Sequence, residues 1–392
     1  MKTISNINRT FIEEILSEIQ ISESKYEEAK KRYDSLSSWL NRKESSVARF
    51  NPIIYAQGSF LLGTATKPIN ENDEHDVDVV CQLDLSKRSI SQSALKKMIG
   101  EEIKSYAKSH GMNNPTEGKR CWTLTYADGT RFHIDVLPAI PDSKLFVELR
   151  NDVRVKSHWL ETAIAITDQN HKYFDSITDD WYISNPKGYH SWFKEQMATQ
   201  FESKLKAKME SYHGEVEDLP TYKVRTTLQY AVQLLKYLRD VMFENDLDNK
   251  PISIIITTLA AHAYGNEPDL LDALITISSG MREHVKQNEK GEWEIINPVN
   301  PKENFAEKWN DDSNGSNLIE NFFKWLNRVE EIFSIDMLNK ETEPLYESYK
   351  QSFGTSVAFT ALEKASSKKQ IPKNKPAPNI NVTEKKPWAS KF

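Results

Sequence analysis

The sequence predicts an α+β protein in which a mixed α/β lobe is followed by a helical lobe. Two short β-type runs carry aspartates at alternating positions inside apolar segments, Asp76-Val77-Asp78-Val79-Val80 and Phe132-His133-Ile134-Asp135-Val136-Leu137. A helical stripe at Leu95, Met98, Ile99, Ile103, Tyr106 and Ala107 separates them. From about residue 155 onward, apolar residues recur almost wholly at helical spacing. The expected division is a helical brace over 1–50, an α/β core over 51–155, a helical lobe over 156–365 and a disordered basic tail over 366–392.

Each element has a local reason. Phe11, Ile12, Ile15, Leu16 and Ile19, then Tyr26, Ala29, Tyr33, Leu36, Trp39 and Leu40, mark two amphipathic helices or one long bent one, a brace across both lobes. Ile53–Tyr55 is a short strand that stops at Gln57-Gly58-Ser59, after which Phe60-Leu61-Leu62 has helical or turn character. Ser91 caps the helix that ends at His110-Gly111. Trp122–Tyr126 alternates, and Ala127-Asp128-Gly129-Thr130 supplies hairpin turn chemistry before the strand bearing Asp135. Leu145–Leu149 reads as an edge strand. Residues 280–315 are loop-rich, with Asn297-Pro298 and Asn300-Pro301.

The chemistry gathers around the first aspartates. In a strand Asp76 and Asp78 leave the same face, and two like charges at such positions repel. Taken alone, such a pair is better explained by an exposed edge strand whose polar face carries two aspartates than by a metal. A third carboxylate, Asp135, on a second strand shifts the balance to a divalent metal cluster. Gly58 lets the backbone come close to a ligand, and Ser59 offers a hydroxyl and an N–H suited to a phosphate oxygen. His75 and His133 lie beside the acids in the chain and are expected to face away from the neighbouring aspartates.

These residues resemble the active-site pattern of polymerase-β-type nucleotidyltransferases. More narrowly, Gln57-Gly58-Ser59-Phe60-x-x-Gly63-Thr64 followed by Asp73-Glu74-His75-Asp76-Val77-Asp78 resembles the CD-NTases of anti-phage CBASS signalling, bacterial relatives of cyclic GMP-AMP synthase. The loop between Ser59 and Asp76 is longer than in the minimal superfamily pattern. The resemblance implies a polymerase-β-like lobe with a helical lobe braced by a long N-terminal helix. It implies two Mg²⁺ ions, or Mn²⁺, on Asp76, Asp78 and Asp135, and nucleoside triphosphates joined into a cyclic di- or trinucleotide with loss of pyrophosphate. It also assigns Gln57, Gly58 and Ser59 to nucleotide binding. The triphosphate tail is expected on Lys236, in the helix Tyr222–Asp240, and on Ser253 at the start of the next helix. By pattern alone Lys236 is a boundary residue and Ser253 a simple cap, while Arg225, Gln229 and Gln233 read as a surface face.

Composition bounds the alternatives. The chain has 392 residues, no apolar run long enough to span a bilayer and no signal-peptide core at its start, so a cytoplasmic location is expected; the enzyme that the resemblance implies is expected to be a monomer. Cys81 and Cys121 are expected as buried reduced thiols in strands, which leaves no zinc insertion of the DNA-gripping kind. The tail holds seven lysines against Glu384, so the formal total of −6 leaves −12 for the rest. Such a body is a poor non-specific DNA binder. The tail itself is a solubilising end or the contact for an accessory protein. A transferase extending RNA or making linear oligonucleotides would want a long basic groove with stacking aromatics, and an inactive scaffold would not need all three acids.

Overall fold

A computed structural model describes residues 6–70, 75–126, 132–211 and 224–369. Two helices, α1 (Asn6–Ile19) and α2 (Glu23–Leu40), precede β1 (Ile53–Ala56), the short α3 (Gly58–Leu62) and β2 (His75–Gln82). Helix α4 (Gln92–Ser109) leads to β3 (Thr116–Glu117), β4 (Trp122–Thr125) and β5 (Phe132–Pro141). Two short helices, α5 (Lys144–Leu149) and α6 (Ser157–Leu160), precede β6 (Ile164–Ile166) and β7 (Tyr182–Ser184). One sheet results, ordered β1-β2-β5-β4-β3, with β6 on the far part of β5 and β7 beyond it. Strands β2 and β5 run parallel and every other pairing in this sheet is antiparallel.

The alternation gives this sheet two unlike faces. Val77, Val79 and Cys81 of β2, with Ile134 and Val136 of β5, bury against Leu36 and Leu40 of α2 and Leu95, Ile99 and Ile103 of α4. The opposite face carries the acids. Helix α4 starts where Ser91 Oγ accepts from the Ala94 N–H and stops at His110, before Gly111 at φ +64°.

The second lobe is built from α7 (Pro186–Gln196), α8 (Ala198–Ser211), α9 (Thr227–Met242), α10 (Ser253–Ala263) and α11 (Leu270–Gly280). Two small hairpins follow, β8 (Lys286–Gln287) with β9 (Trp293–Glu294) and β10 (Ile296–Asn297) with β11 (Asn300–Asn304). Helices α12 (Gly315–Ile332), α13 (Ile335–Leu338), α14 (Thr342–Phe353) and α15 (Thr355–Lys369) complete it. Leu228, Ala231, Val232, Leu235 and Leu238 of α9 form its central stripe, and α9 begins with a capping box between Thr226 and Gln229. Among the described residues no helix is long and apolar enough to cross a membrane.

Several expectations are corrected. The brace is two helices, because Ser22 caps α2 and breaks the run. Each serves a different lobe: α1 buries Phe11, Ile12 and Ile15 in the helical core, α2 packs under the sheet. Residues 145–149 are helical. Leu145 and Leu149 satisfy the i, i+4 spacing as well as alternation, Val147 between them is exposed, and Asp142 Oδ1 accepts from the Lys144 N–H at the helix start. The sheet does not end at 155, since β6 and β7 extend it, and the 280–315 region holds the two hairpins. Helix α15 continues past 366 because Ala358, Ala361 and Ala365 bury against α1 and Lys368 pairs with Glu14. Cys121 precedes β4 and is half-buried, Cys81 is buried, and both are free. The turn 127–130 and the tail from 370, with its partner contact, lie outside the described residues.

Candidate active site

The site begins at the end of β1. The Gln57 N–H donates to Asp78 O at 2.8 Å, prolonging the β1–β2 ladder by one bond. Gly58 then turns into α3 with φ +59°, a conformation that favours glycine. A Cβ at this position would sit 2.4 Å from Asp78 Oδ2. Gly58 is therefore required both by its backbone and by the nearness of the carboxylate. Helix α3 closes at Gly63, φ +69°, where the Thr64 N–H returns to Ser59 O at 2.9 Å.

The acids arrive from two parallel strands in register. Asp78 lies opposite Asp135, and Asp76 lies opposite His133, so all four side chains emerge from one face. Asp135 Oδ1 accepts a hydrogen bond from Thr123 Oγ1 of β4 at 2.5 Å. His133 Nε2 is 3.1 Å from Asp76 Oδ1. Burial, followed by the charges of Asp76 and Asp135, pushes the Asp78 carboxyl up to about 7. Burial also raises Asp135, with the Thr123 hydroxyl opposing it.

The expectation that His133 faces away from the acids is overturned. His133 and Asp135 are two apart in one strand, so the alternation that separates His133 from its immediate neighbours puts it beside Asp135 and across from Asp76. That signal was present in the sequence. The side chain of His75, like residues 71–74, is outside the described residues.

Helix α9 reaches the turn from the other lobe. Lys236 Nζ donates to Thr64 O at 3.0 Å, and Gln233 Nε2 donates to Ala65 O at 2.9 Å. Gln229 Nε2 donates to Leu62 O at 2.9 Å, and Arg225, just before the helix, donates to Gly63 O at 3.0 Å. Arg225, Gln229 and Gln233 are thus not a surface face: they satisfy the carbonyls that end α3. Burial pulls the Lys236 ammonium down to about 8, Arg239 adding to the effect and Asp240 and Asp78 opposing it. Ser253 opens α10 without capping it, since Ile252 holds the cap position, and its Oγ accepts from Arg239 Nη1 at 2.9 Å. Arg239, which pattern reasoning passed over, orients this serine.

A cleft of about 1040 Å³ runs between the lobes, with Gly58, Ser59, Asp76 and Asp78 on one wall and Lys236 and Ser253 on the other. Arg239, Lys250 and Lys67 add positive charge to it. One wall thus carries the carboxylate pair Asp76 and Asp78, and the other carries cations and a hydroxyl together with Asp240, Glu244 and Asp248, Asp240 pairing with Arg239 and Lys250; a triphosphate with divalent cations would bridge the carboxylates and the cations. The acids fit a metal: one ligand atom from each of Asp76, His133 and Asp135 lies within 4.8 Å of the others, and burial with the neighbouring charges disfavours the ionised form of Asp78 beside them, a cost that a cation would relieve.

Residues 6–163 match the family described as the Second Messenger Oligonucleotide or Dinucleotide Synthetase domain. The chain is 29% identical over 333 residues to a c-di-GMP synthase of Roseivirga ehrenbergii, covering 83% of this chain and 80% of that one. It is 22% identical over 309 residues to the cyclic dinucleotide synthase CdnG of Bradyrhizobium diazoefficiens, covering 76% and 68%. The structure of that CdnG, a CD-NTase in complex with GTP, superposes with a TM-score of 0.68 at 17% identity, covering 92% of this chain and 100% of that one.

Proposed function

We propose, from the premise that this chain belongs to the CD-NTase family, that it joins nucleoside triphosphates into a cyclic dinucleotide second messenger used in anti-phage defence. The observation that carries this reading is the convergence of Asp76, Asp78 and Asp135 with the Gly58 turn on one side of a cleft and Lys236 and Ser253 on the other. GTP is the favoured substrate, because one relative is a c-di-GMP synthase and another binds GTP.

The chain's own residues have distinct tasks in this reading. Asp76, Asp78 and Asp135 would hold two divalent cations, for which their carboxylate oxygens suit Mg²⁺. When bound, these ions neutralise phosphate charge and lower the pKa of the attacking ribose hydroxyl. Gly58 lets the turn approach the donor phosphates, Ser59 offers a hydroxyl and an N–H to a phosphate oxygen, and Gln57 keeps the turn tied to the Asp78 backbone. Lys236 and Ser253 grip the triphosphate tail from the opposite wall. Arg239 keeps the Ser253 hydroxyl in place. Positioning and charge stabilisation account for most of the acceleration, so each aspartate matters severely.

The test is direct. Labelled NTPs, singly and in mixture with Mg²⁺, are incubated with the protein, treated with phosphatase and separated. A small phosphatase-resistant product formed from GTP is the expected result; a ladder of linear products would replace this reading with oligonucleotide extension. Asp76→Ala with Asp78→Ala should abolish pyrophosphate release while the melting transition persists, and an active double variant would sink the assignment.

A further inference from the structure

The aspartates do not stand alone on their face of the sheet. Because β2 and β5 are parallel and in register, His133 projects beside Asp76 in the same way that Asp135 projects beside Asp78. Its Nε2 atom approaches Asp76 Oδ1 to 3.1 Å, and it forms part of the wall of the cleft. Adjacent ligand atoms on one octahedral ion at about 2.1 Å lie roughly 3 Å apart, so this separation suits two ligands of one cation as well as it suits a hydrogen bond. The remaining member of the group, Asp135, also has an oxygen within 4.8 Å of both.

Resting on the reading of this cleft as a metal-dependent nucleotidyltransferase site, we propose that His133 is a metal ligand, so that one of the two cation positions is a mixed nitrogen and oxygen site selective for a transition ion such as Mn²⁺ over Mg²⁺. The physical ground is ligand chemistry. Mg²⁺ is a hard ion that keeps to oxygen and water, whereas an imidazole nitrogen suits first-row transition ions. Asp76, His133 and Asp135 present one nitrogen and two carboxylates on two rigid parallel strands. The other position, where Asp76 and Asp78 would supply carboxylate oxygens alone, would remain suited to Mg²⁺. The two positions therefore differ in the ion they favour, although they share Asp76.

The opposing possibility is that His133 only donates a hydrogen bond that orients Asp76, in which case it touches no ion. Pulsed electron paramagnetic resonance of Mn²⁺ bound to the full chain separates the two, recorded with and without a GTP analogue blocked at the scissile linkage. Wild-type protein should show ¹⁴N modulation from a directly bound imidazole, and His133→Asn should lose it. The same substitution should weaken Mn²⁺ binding at least about tenfold, a loss that an outer-shell partner can also cause, so the ¹⁴N signal and the ion selectivity decide between the two. Mg²⁺ binding, read by competition, should change less than about threefold. His133→Gln provides a second variant, and thermal melts without metal establish that both fold. Bound Mn²⁺ with no ¹⁴N modulation in the wild type, or equal losses for both ions, overturns the proposal and leaves the nucleotidyltransferase reading intact. Failure of the wild type to bind either ion any better than Asp76→Asn, even with the analogue present, overturns both.

Discussion

Gly58 and Asp78 constrain each other tightly. A methyl group at residue 58 would meet Asp78 Oδ2 at 2.4 Å, and its positive φ adds about 1 to 2 kcal/mol of backbone strain for an L-residue. Gly58→Ala should therefore displace the Asp78 carboxylate and lower turnover by about a hundredfold or more, with only a modest fall in melting temperature; kinetics and a thermal melt on one preparation check both parts. Asp78 supplies a prediction about pH. Its folded-state pKa, about 7, lies above the ordinary carboxylate value of 3.8, so the native state holds a proton that the unfolded chain releases. Stability contributed by the protonated form is complete below about pH 4 and is lost as pH rises through 7. In metal-free buffer Asp78→Asn should be no more stable than wild type near pH 4, gain on it steadily to pH 7, and stay level above, by on the order of a few kcal/mol. Melting temperatures from pH 5 to 8.5 test this, and an unchanging gap across that range would remove the argument that burial and neighbouring charge destabilise this anion. Added divalent cation should narrow the gap by stabilising the wild type.

At the scale of elements, the contact between α9 and the end of α3 carries the coupling between the lobes. Gln233 is fully buried and donates to Ala65 O, while Gln229 and Lys236 serve Leu62 O and Thr64 O on the same stretch. Gln233→Leu keeps the helix and much of the volume but leaves a buried carbonyl unpaired, at about 1 to 3 kcal/mol. The expected outcome is a lower melting temperature together with a raised KM for the nucleotide, because Thr64 and Ser59 belong to the same turn; a change in stability with KM untouched would detach this contact from substrate binding. This contact also explains what the sequence made legible and what it did not. Strands β2 and β5 are readable because alternation is a strong local signal, which puts Asp76 and Asp78 on one face and Asp135 on a second strand, while Gly58 is readable from the turn chemistry that ends β1. Arg225, Gln229 and Gln233 looked like a solvated face because their partners are backbone carbonyls more than 160 residues away, and a carbonyl leaves no mark in a sequence. Helix α5 was missed for a different reason: Leu145, Val147 and Leu149 satisfy two periods at once, and only burial shows that Val147 is the residue left out.

Across the whole molecule, the two ends of the described chain pack against each other and join the site's own loop through α1. Helix α1 buries Phe11, Ile12 and Ile15 in the helical core and lies along α15, whose Ala358, Ala361 and Ala365 are almost wholly buried. Small side chains at three- and four-residue spacing let the two helices approach closely. Lys364 and Lys368 of α15 pair with Glu18 and Glu14 of α1. The end of α1 then touches the site's own loop, since Ile19 O accepts from the Lys67 N–H at 2.8 Å and Gln20 Nε2 donates to Gln233 at 3.3 Å. A larger residue at Ala361 must therefore act at a distance. Ala361→Leu overfills a closed helix interface, at about 1 to 3 kcal/mol, and pushes α1 off its seat. If α1 transmits that shift through Ile19 to Lys67, the variant should lose nucleotide affinity as well as stability, whereas Lys364→Ala, which removes only an exposed, solvent-screened ion pair, should leave both nearly unchanged. Titration of a non-reactive GTP analogue alongside thermal melts measures the two effects separately. Ala361→Leu with reduced stability and unaltered nucleotide affinity would mean that the lobes hold the cleft without help from the paired terminal helices.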